Sequence, residues 1–425
     1  MNNSMYTSSD DELVWQGFKL SDLARKYGTP LWVYSADQIR HNYNTIKEAF
    51  GSQVEIRYAV KANDSLRVLS ILDQCGSGFD VVSGGELYKV RKINVDTRRI
   101  SFAGAAKTDS EIAEAIRQQI GMINVESLDE LEVINTSSRG LSPNKVPKLS
   151  LRIAPGIDPH TDHHISTGHI GTKFGMEMSM VIEILDDYSM GNDFQFTSIE
   201  GIHVHVGSQI HDPAVYVAAI DVVLPLFEKY DFLKTLDLGG GFPVSYGGSN
   251  EEAVLPIETF AKAINDRLAQ ANLPADFKLL IEPGRSIVAD AGLLIVQVQS
   301  TKMSGDTRII TCDGGMADLV RPAMYDSYHE IKPMCYDAEN HKILDFADVA
   351  GPHCESSDFL GKHRLLPLVS RGDYLAILTA GAYGRTMSSN YNCSRFAPEV
   401  FIDNGNVDIY RMREQYEDQI FHENF

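Results

Sequence analysis

Positive charge is in short supply: 38 Lys and Arg face 58 Asp and Glu, a formal net charge of −20. Nucleic acid and anionic membrane surfaces both call for a basic footprint, so no nucleic-acid or membrane partner is expected. Cysteine is sparse as well. The five (Cys75, Cys312, Cys335, Cys354, Cys393) are odd in number and show no CxxC or CxxxC spacing, so neither a zinc site nor a disulfide framework follows. No run of about 18 apolar residues could span a bilayer. The start, MNNSMYTSSDDELVW, is polar and acidic without an apolar or Arg-rich targeting stretch. A reducing cytoplasm is the expected setting.

What is present is ordinary folded material: 425 residues, 43% hydrophobic, enough for one large domain and a smaller one. From about residue 36 to 290, eight β-branched runs alternate with helix-like segments: VEIRYAV, GFDVV, RISFAG, GMINV, KLSLRI, IEGIHVHV, TLDLGG and KLLIEPG. The helical segments carry start signals such as the capping boxes Thr108 to Glu111 and Ser127 to Glu130. Others show long apolar periodicity, as in DPAVYVAAIDVVLPLFEKY. Eight β/α units in about 250 residues predict an α/β fold of the TIM (β/α)8 barrel type, with a doubly wound sheet as the competing architecture. Beyond residue 290, LLIVQVQSTKM, TRIITCDGG, DYLAILTAGAYG and PEVFIDNGNVDIYRM read as strands divided by turn signals such as SGD and NGN. These predict a second, mainly antiparallel, sandwich- or barrel-like β domain over 291–425, joined by the N-terminal segment 1–35 with its strand-like PLWVYS.

In such a barrel the chemistry collects just after each strand. Lys61 of YAVKAN follows the first run, Asp80 lies in the second, His205 with Ser208 closes the sixth, Gly239-Gly240-Gly241 the seventh, and Glu282-Pro283-Gly284-Arg285 the eighth. Each has a plain structural reading alone: a solvated strand-end lysine, a core histidine (His203 being equally available), a tight glycine turn, a capping carboxylate. Their conjunction at one rim is harder to explain that way. A lysine amine, a cradle of backbone N–H groups and a carboxylate meet the needs of pyridoxal 5'-phosphate, whose ring must be tethered, held by its phosphate and kept protonated.

The ordered motifs YAVKAN, FDVVSGGEL, HVHVGSQ, LDLGGGFPV, EPGRSIV, CDGGMADLVRPAMY, GPHCESSD and GAYG resemble the barrel-type pyridoxal-phosphate decarboxylases of diaminopimelate, ornithine and arginine, over nearly the whole chain. The resemblance implies that Lys61 carries the cofactor as a Schiff base and that His205 stacks on its ring. It places Asp80 beside the cofactor, Ser208 and Gly239 to Gly241 on the phosphate, Gly284 and Arg285 in the cofactor site, Glu282 on the pyridine nitrogen, and Tyr383 within reach of cofactor and substrate. The diaminopimelate branch is favoured: Arg285, Arg321 and Tyr325 suit a distal carboxylate, while Cys354 and Glu355 would supply the proton donor and the contact to the distal ammonium. The implied reaction is decarboxylation of meso-2,6-diaminopimelate at its D-centre to L-lysine. A homodimer is implied too, its sites completed by the partner's Cys354 and Glu355.

Ala154 and Gly156 stand where that branch usually has Asn and Asp, and Arg385 where an aromatic is usual. The histidine-bearing segment IDPHTDHHISTGHIGTKFG resembles a mobile loop over the site; without an HExxH-type motif no metal is expected. Competing readings are decarboxylation of another amino acid (D-lysine, ornithine, arginine or a carrier-linked substrate), a barrel-type racemase, and a non-catalytic regulatory relative.

Overall fold

The computed structural model describes residues 6–9, 12–157, 173–248, 251–334 and 343–424. The histidine-bearing segment falls mostly outside them, as does Cys335. Two compact units emerge, one of residues 1–39, 245–251 and 287–425, the other of residues 40–244 and 252–286.

The chain begins in the first unit, with a small antiparallel sheet of β1 (Tyr6–Ser9), β2 (Glu12–Trp15) and β3 (Phe18–Lys19), then α1 (Leu20–Tyr27) and β4 (Leu31–Ser35). β4 is the strand expected from PLWVYS. Helix α2 (Ala36–Phe50) follows.

The second unit is a closed ring of eight parallel strands: β5 (Val54–Ala59), β6 (Gly78–Val81), β7 (Ile100–Phe102), β8 (Met122–Val125), β9 (Lys148–Ile153), β10 (Ser198–Val204), β11 (Thr235–Asp237) and β12 (Lys278–Ile281). All eight expected runs are strands, and the ring closes between β12 and β5, which rules out the doubly wound sheet. Helices α3 (Leu66–Gln74), α4 (Gly84–Lys92), α5 (Asp109–Arg117), α6 (Leu128–Ser137), α7 (Met178–Met190), α8 (Ala214–Lys229) and α9 (Ile257–Ala269) supply the crossovers, with the short α10 (Arg285–Val288) after β12.

The capping box at Thr108 closes in both directions. The one at Ser127 does not. Ser127 accepts from the Glu130 N–H, but the Glu130 carboxylate turns instead to Lys107 Nζ at 2.6 Å and the Glu126 N–H at 2.9 Å. Lys107 is almost fully buried, and a buried ammonium needs a counter-charge more than a helix end needs a second cap.

Barrel interiors are usually apolar layers. Here Asp80, Ser101, Asn124, Ser150, Arg152, His203, Asp237 and Glu282 are all buried. Burying so many polar groups is costly without mutual pairing.

The chain then returns to the first unit through β13 (Gly292–Ser304), β14 (Thr307–Cys312), α11 (Arg321–Tyr325), β15 (Ile331–Pro333), β16 (Leu344–Ala350), β17 (Phe359–Pro367), β18 (Tyr374–Ile377), β19 (Glu399–Asp403), β20 (Asn406–Arg411) and α12 (Tyr416–Gln419). The SGD and NGN signals are the turns of the β13–β14 and β19–β20 hairpins. The sheet runs β17-β16-β14-β13-β4-β19-β20, with β18 and β15 branching from β13. It is mainly antiparallel, with parallel pairs at β14–β16 and β4–β19. Its core includes Trp15, Leu31, Val33, Leu293, Ile295, Leu378 and Val400.

Candidate active site

The C-terminal ends of β5, β6, β10, β11 and β12 carry the residues singled out in the barrel. After β5 the chain makes a single 3-10 turn, Val60–Ala62, which keeps Val60 and Ala62 buried and leaves the Lys61 side chain 38% exposed. Its Nζ lies 3.0 Å from Oδ2 of the fully buried Asp80 on β6. Burial, reinforced by the charge of Glu282, pushes the Asp80 carboxyl up to about 7 against the pull of Lys61. An amine and a carboxyl that titrates near neutrality thus share one hydrogen bond at the rim.

Glu282 sits in the deepest polar cluster. Ser101 Oγ and Asn124 Nδ2 approach its Oε1 at 3.5 and 3.3 Å, and His203 Nε2 approaches Oε2 at 3.5 Å. Burial alone would raise this carboxyl, but His203, Lys61 and Asp237 together hold it well below the usual carboxylate range. Asp237 moves the other way. Burial, then the charge of Glu282, pushes it far above the ordinary value. Burial also lowers His203, and burial with the positive charges of Arg152 and Lys61 drives His205 lower still. Burial thus favours the neutral form of both rings, and His203 Nε2 faces Glu282 Oε2 without a hydrogen bond as the side chains stand. His203, Asp237 and Glu282 could also offer a cation one atom each, all within 4.8 Å. A proton shared by the two carboxyls meets the same need without an ion.

The glycine triplet is fixed by what surrounds it. A Cβ on Gly239, whose φ is +63°, would meet His205 Nδ1 at 2.5 Å; on Gly240 it would meet the Glu282 carbonyl oxygen at 2.4 Å; on Gly241 (φ +102°), the Gly207 carbonyl oxygen at 2.6 Å. Asp237 Oδ1 takes the Gly239 N–H at 2.9 Å, and Tyr216 donates to the Gly240 carbonyl at 2.9 Å. The Gly240 and Gly241 N–H groups have no acceptor among the described residues. Beside this turn, Ser208 Oγ receives Arg285 Nη2 at 3.0 Å. Gly284 lets the chain pass the strand end, since its Cβ would lie 2.9 Å from that of Ala62. Two backbone donors, a hydroxyl and a guanidinium are a set that could hold a phosphate, and a lysine and a carboxylate beside them fit what pyridoxal phosphate requires.

The remaining candidates lie in the β unit. Arg321 is buried at the start of α11. Its Nη1 donates to His329 Nε2 at 2.9 Å and its guanidinium lies 4.7 Å from the Tyr246 ring centroid. The fully buried His329 uses Nδ1–H on the Leu378 carbonyl at 2.9 Å, which leaves Nε2 as the acceptor for Arg321. Tyr325 is half-buried on the same short helix. Tyr383 is held at φ +55°, followed by Gly384, whose Cβ would strike the Trp32 ring at 2.5 Å. Cys354 and Glu355 are exposed at the turn of the β16–β17 hairpin. That turn is organised by Asp358, whose carboxylate accepts the Met316 and His353 N–H groups at 2.6 and 2.8 Å. Arg385 turns to the buried Glu399 at 3.6 Å and stacks on Phe396 at 4.4 Å.

Sequence reasoning missed Asp237, His329, Tyr246 and Asp358, and gave His203 no task. Asp237 and Asp358 lay inside quoted motifs, the only signal available. His329 and Tyr246 carried none.

Residues 36–289 match the family described as pyridoxal-dependent decarboxylase, pyridoxal binding domain. The chain is 40% identical over 413 residues to the diaminopimelate decarboxylase of Aquifex aeolicus, covering 96% of this chain and 94% of that one. It is 37% identical over 409 residues to that of Haemophilus influenzae, covering 95% of each. A crystal structure of diaminopimelate decarboxylase from M. jannaschii in complex with L-lysine superposes with a TM-score of 0.90 at 34% identity, over 100% of this chain and 98% of that one.

Proposed function

The chain belongs to the pyridoxal-dependent decarboxylases of the barrel type, and on that premise we propose that it decarboxylates meso-2,6-diaminopimelate at the D-centre, releasing L-lysine and carbon dioxide. What carries the chemistry is one arrangement: Lys61 against Asp80 at the rim of the same barrel whose interior holds Glu282 as its ionised carboxylate. The substrate assignment is supported by full-length similarity to diaminopimelate decarboxylases and by a buried arginine, Arg321, suited to a second carboxylate.

Pyridoxal phosphate, when bound, supplies an electron sink for the pair released as the carbon–carboxylate bond breaks. Lys61 is the amine that tethers it, and Asp80 takes up or returns the amine's proton. Glu282 keeps a proton on the ring nitrogen, the condition for the sink to work. His205, half-buried beside the glycine turn, offers a flat face without a competing charge. Ser208, Arg285 and the Gly240 and Gly241 N–H groups hold phosphate oxygens. Arg321, oriented by His329 and Tyr246, pairs with the distal carboxylate. Tyr325 and Tyr383 line the substrate side.

Cys354 delivers the proton to the α-carbon and Glu355 receives the distal ammonium, both from a second copy of the chain. Support for a dimer comes from their hairpin, which exposes Leu344, Phe346 and Leu365, apolar side chains that a partner would cover.

The test is incubation with the diaminopimelate stereoisomers, ornithine and arginine, with product identification. Lysine should form from the meso isomer. Amine release from ornithine or arginine while diaminopimelate is spared would refute the substrate.

A further inference from the structure

Asp237 contributes one oxygen to the Gly239 N–H at 2.9 Å, while its Oδ2 is buried and meets no N–H or O–H donor among the described residues. A buried carboxylate oxygen without a donor is expensive; a buried carboxylic acid whose O–H finds an acceptor is not. An acceptor is at hand, because donor atoms of Asp237, His203 and Glu282 lie within 4.8 Å of one another. His203 Nε2 stands 3.5 Å from Glu282 Oε2, likewise without a hydrogen bond as the side chains stand, on a ring that is about 1% exposed. The strands dictate this meeting: His203 and Asp237 are direct register partners on β10 and β11, and Glu282 follows β12 next door.

We propose that Asp237 and His203 are positioning residues for Glu282: Asp237 is a carboxylic acid that donates its O–H to the Glu282 carboxylate, and His203 turns its Nε2–H to the same carboxylate. This rests on the reading of Glu282 as the partner of the cofactor's ring nitrogen. Two neutral donors fix where the negative charge sits without cancelling it. A cationic partner would instead draw the charge away from the ring. Burial pushes Asp237 upward, the direction of a carboxyl that keeps its proton. The other charged or titratable groups facing the cluster are Lys61 and Arg57 from β5 and its end, Asp80 from β6 with Glu86 beyond it, Glu126 after β8, Arg152 on β9, and His205 after β10.

Asparagine is the isostere of a protonated aspartate, so it can accept from Gly239 and donate to Glu282 at once. Asp237→Asn should keep the dissociation constant for pyridoxal phosphate and kcat within about threefold of wild type, whereas Asp237→Ala should weaken both by at least about tenfold, the fold-change of one lost hydrogen bond to a charged group. Carboxyl carbon-13 NMR of the cofactor-free protein should show an aspartic-acid resonance that titrates above those of Asp80 and Asp318 and vanishes in Asp237→Asn. That resonance is read without cofactor. Should wild type fail to take up pyridoxal phosphate while the resonance is present, the cofactor reading falls and the shared proton stands. The proposal is overturned if Asp237→Asn, folded by circular dichroism, loses cofactor affinity as severely as Asp237→Ala. It is equally overturned if the resonance titrates with the ordinary aspartates, or if purified protein carries a divalent cation that Asp237→Asn releases.

Discussion

Replacing Gly239 by alanine separates two costs that usually arrive together. One is backbone strain: at φ +63° an L-residue with a Cβ is left-handed, which costs about 1–2 kcal/mol. The other is collision, because the new methyl would lie 2.5 Å from His205 Nδ1 and 3.0 Å from both Cβ and Cγ of the same half-buried side chain, so that turning the ring alone does not clear it. Overpacking of this kind costs about 1–3 kcal/mol. The sum for Gly239→Ala is about 2–5 kcal/mol.

The molecule supplies its own control. Gly305, in the β13–β14 turn, has φ +61° and nothing within 4 Å of its would-be Cβ, so Gly305→Ala carries strain alone, about 1–2 kcal/mol. Urea denaturation of both variants measures the difference. Far-UV circular dichroism follows the helix-rich barrel, and fluorescence follows Trp15 and Trp32, the chain's two tryptophans, both buried in the β unit. On the proposal that His205 faces the cofactor ring, Gly239→Ala should also weaken pyridoxal phosphate binding by about tenfold or more, while Gly305→Ala leaves it untouched. Equal destabilisation by the two substitutions with normal cofactor binding by both would show that the His205 contact carries no energy.

Arg321→Ala should cost about 2–4 kcal/mol in kcat/KM for diaminopimelate and shift preference toward a substrate lacking the distal carboxylate, as steady-state kinetics on both would read; equal losses would rule out a carboxylate contact. Lys61→Ala and Cys354→Ala chains should each be inactive, yet recover toward roughly a quarter of wild-type activity after subunit exchange, half the dimers then holding one intact site of two; exchange proved by mass without recovered activity refutes the shared site. Burial pushes Asp318 up to about 7, from 3.8. The folded state then binds a proton the unfolded state has lost, so this stabilisation is complete below about pH 4 and is lost as pH rises through 7, by at most about 1.4 kcal/mol per pH unit. Asp318→Asn should flatten that slope in urea titrations, and an unchanged slope would show that Asp318 titrates normally.

The barrel was legible because strands buried on both faces spell themselves out as apolar, β-branched runs, with helix-like segments between them, of which α4, α5 and α6 carry side-chain caps. The placement of the candidate residues was legible where they fall at strand ends: Lys61, His205, Gly239 to Gly241 and Glu282. Tertiary partners were not. Nothing near Arg321 in the sequence announces that His329 and Tyr246 will hold it, since the three meet only once α11 docks beside a segment drawn from residues 245–251. Arg385 looked like a departure in a cofactor motif; in the fold it faces the buried Glu399 of β19, which also pairs with Arg411. Ser127 failed as a full capping box for the same reason: Lys107 claimed the carboxylate first.

Strand β4 pairs with β13 through Gly292↔Tyr34 and with β19 through Glu399↔Trp32. During synthesis, therefore, the apolar LWVYS emerges early and has no neighbour until about 260 more residues have been made, roughly 13–50 s at ordinary elongation rates. The whole barrel is delivered in that interval. The nascent chain carries an unpaired hydrophobic edge throughout, a segment suited to capture by a holdase and prone to pairing with the same strand of a neighbouring ribosome's product.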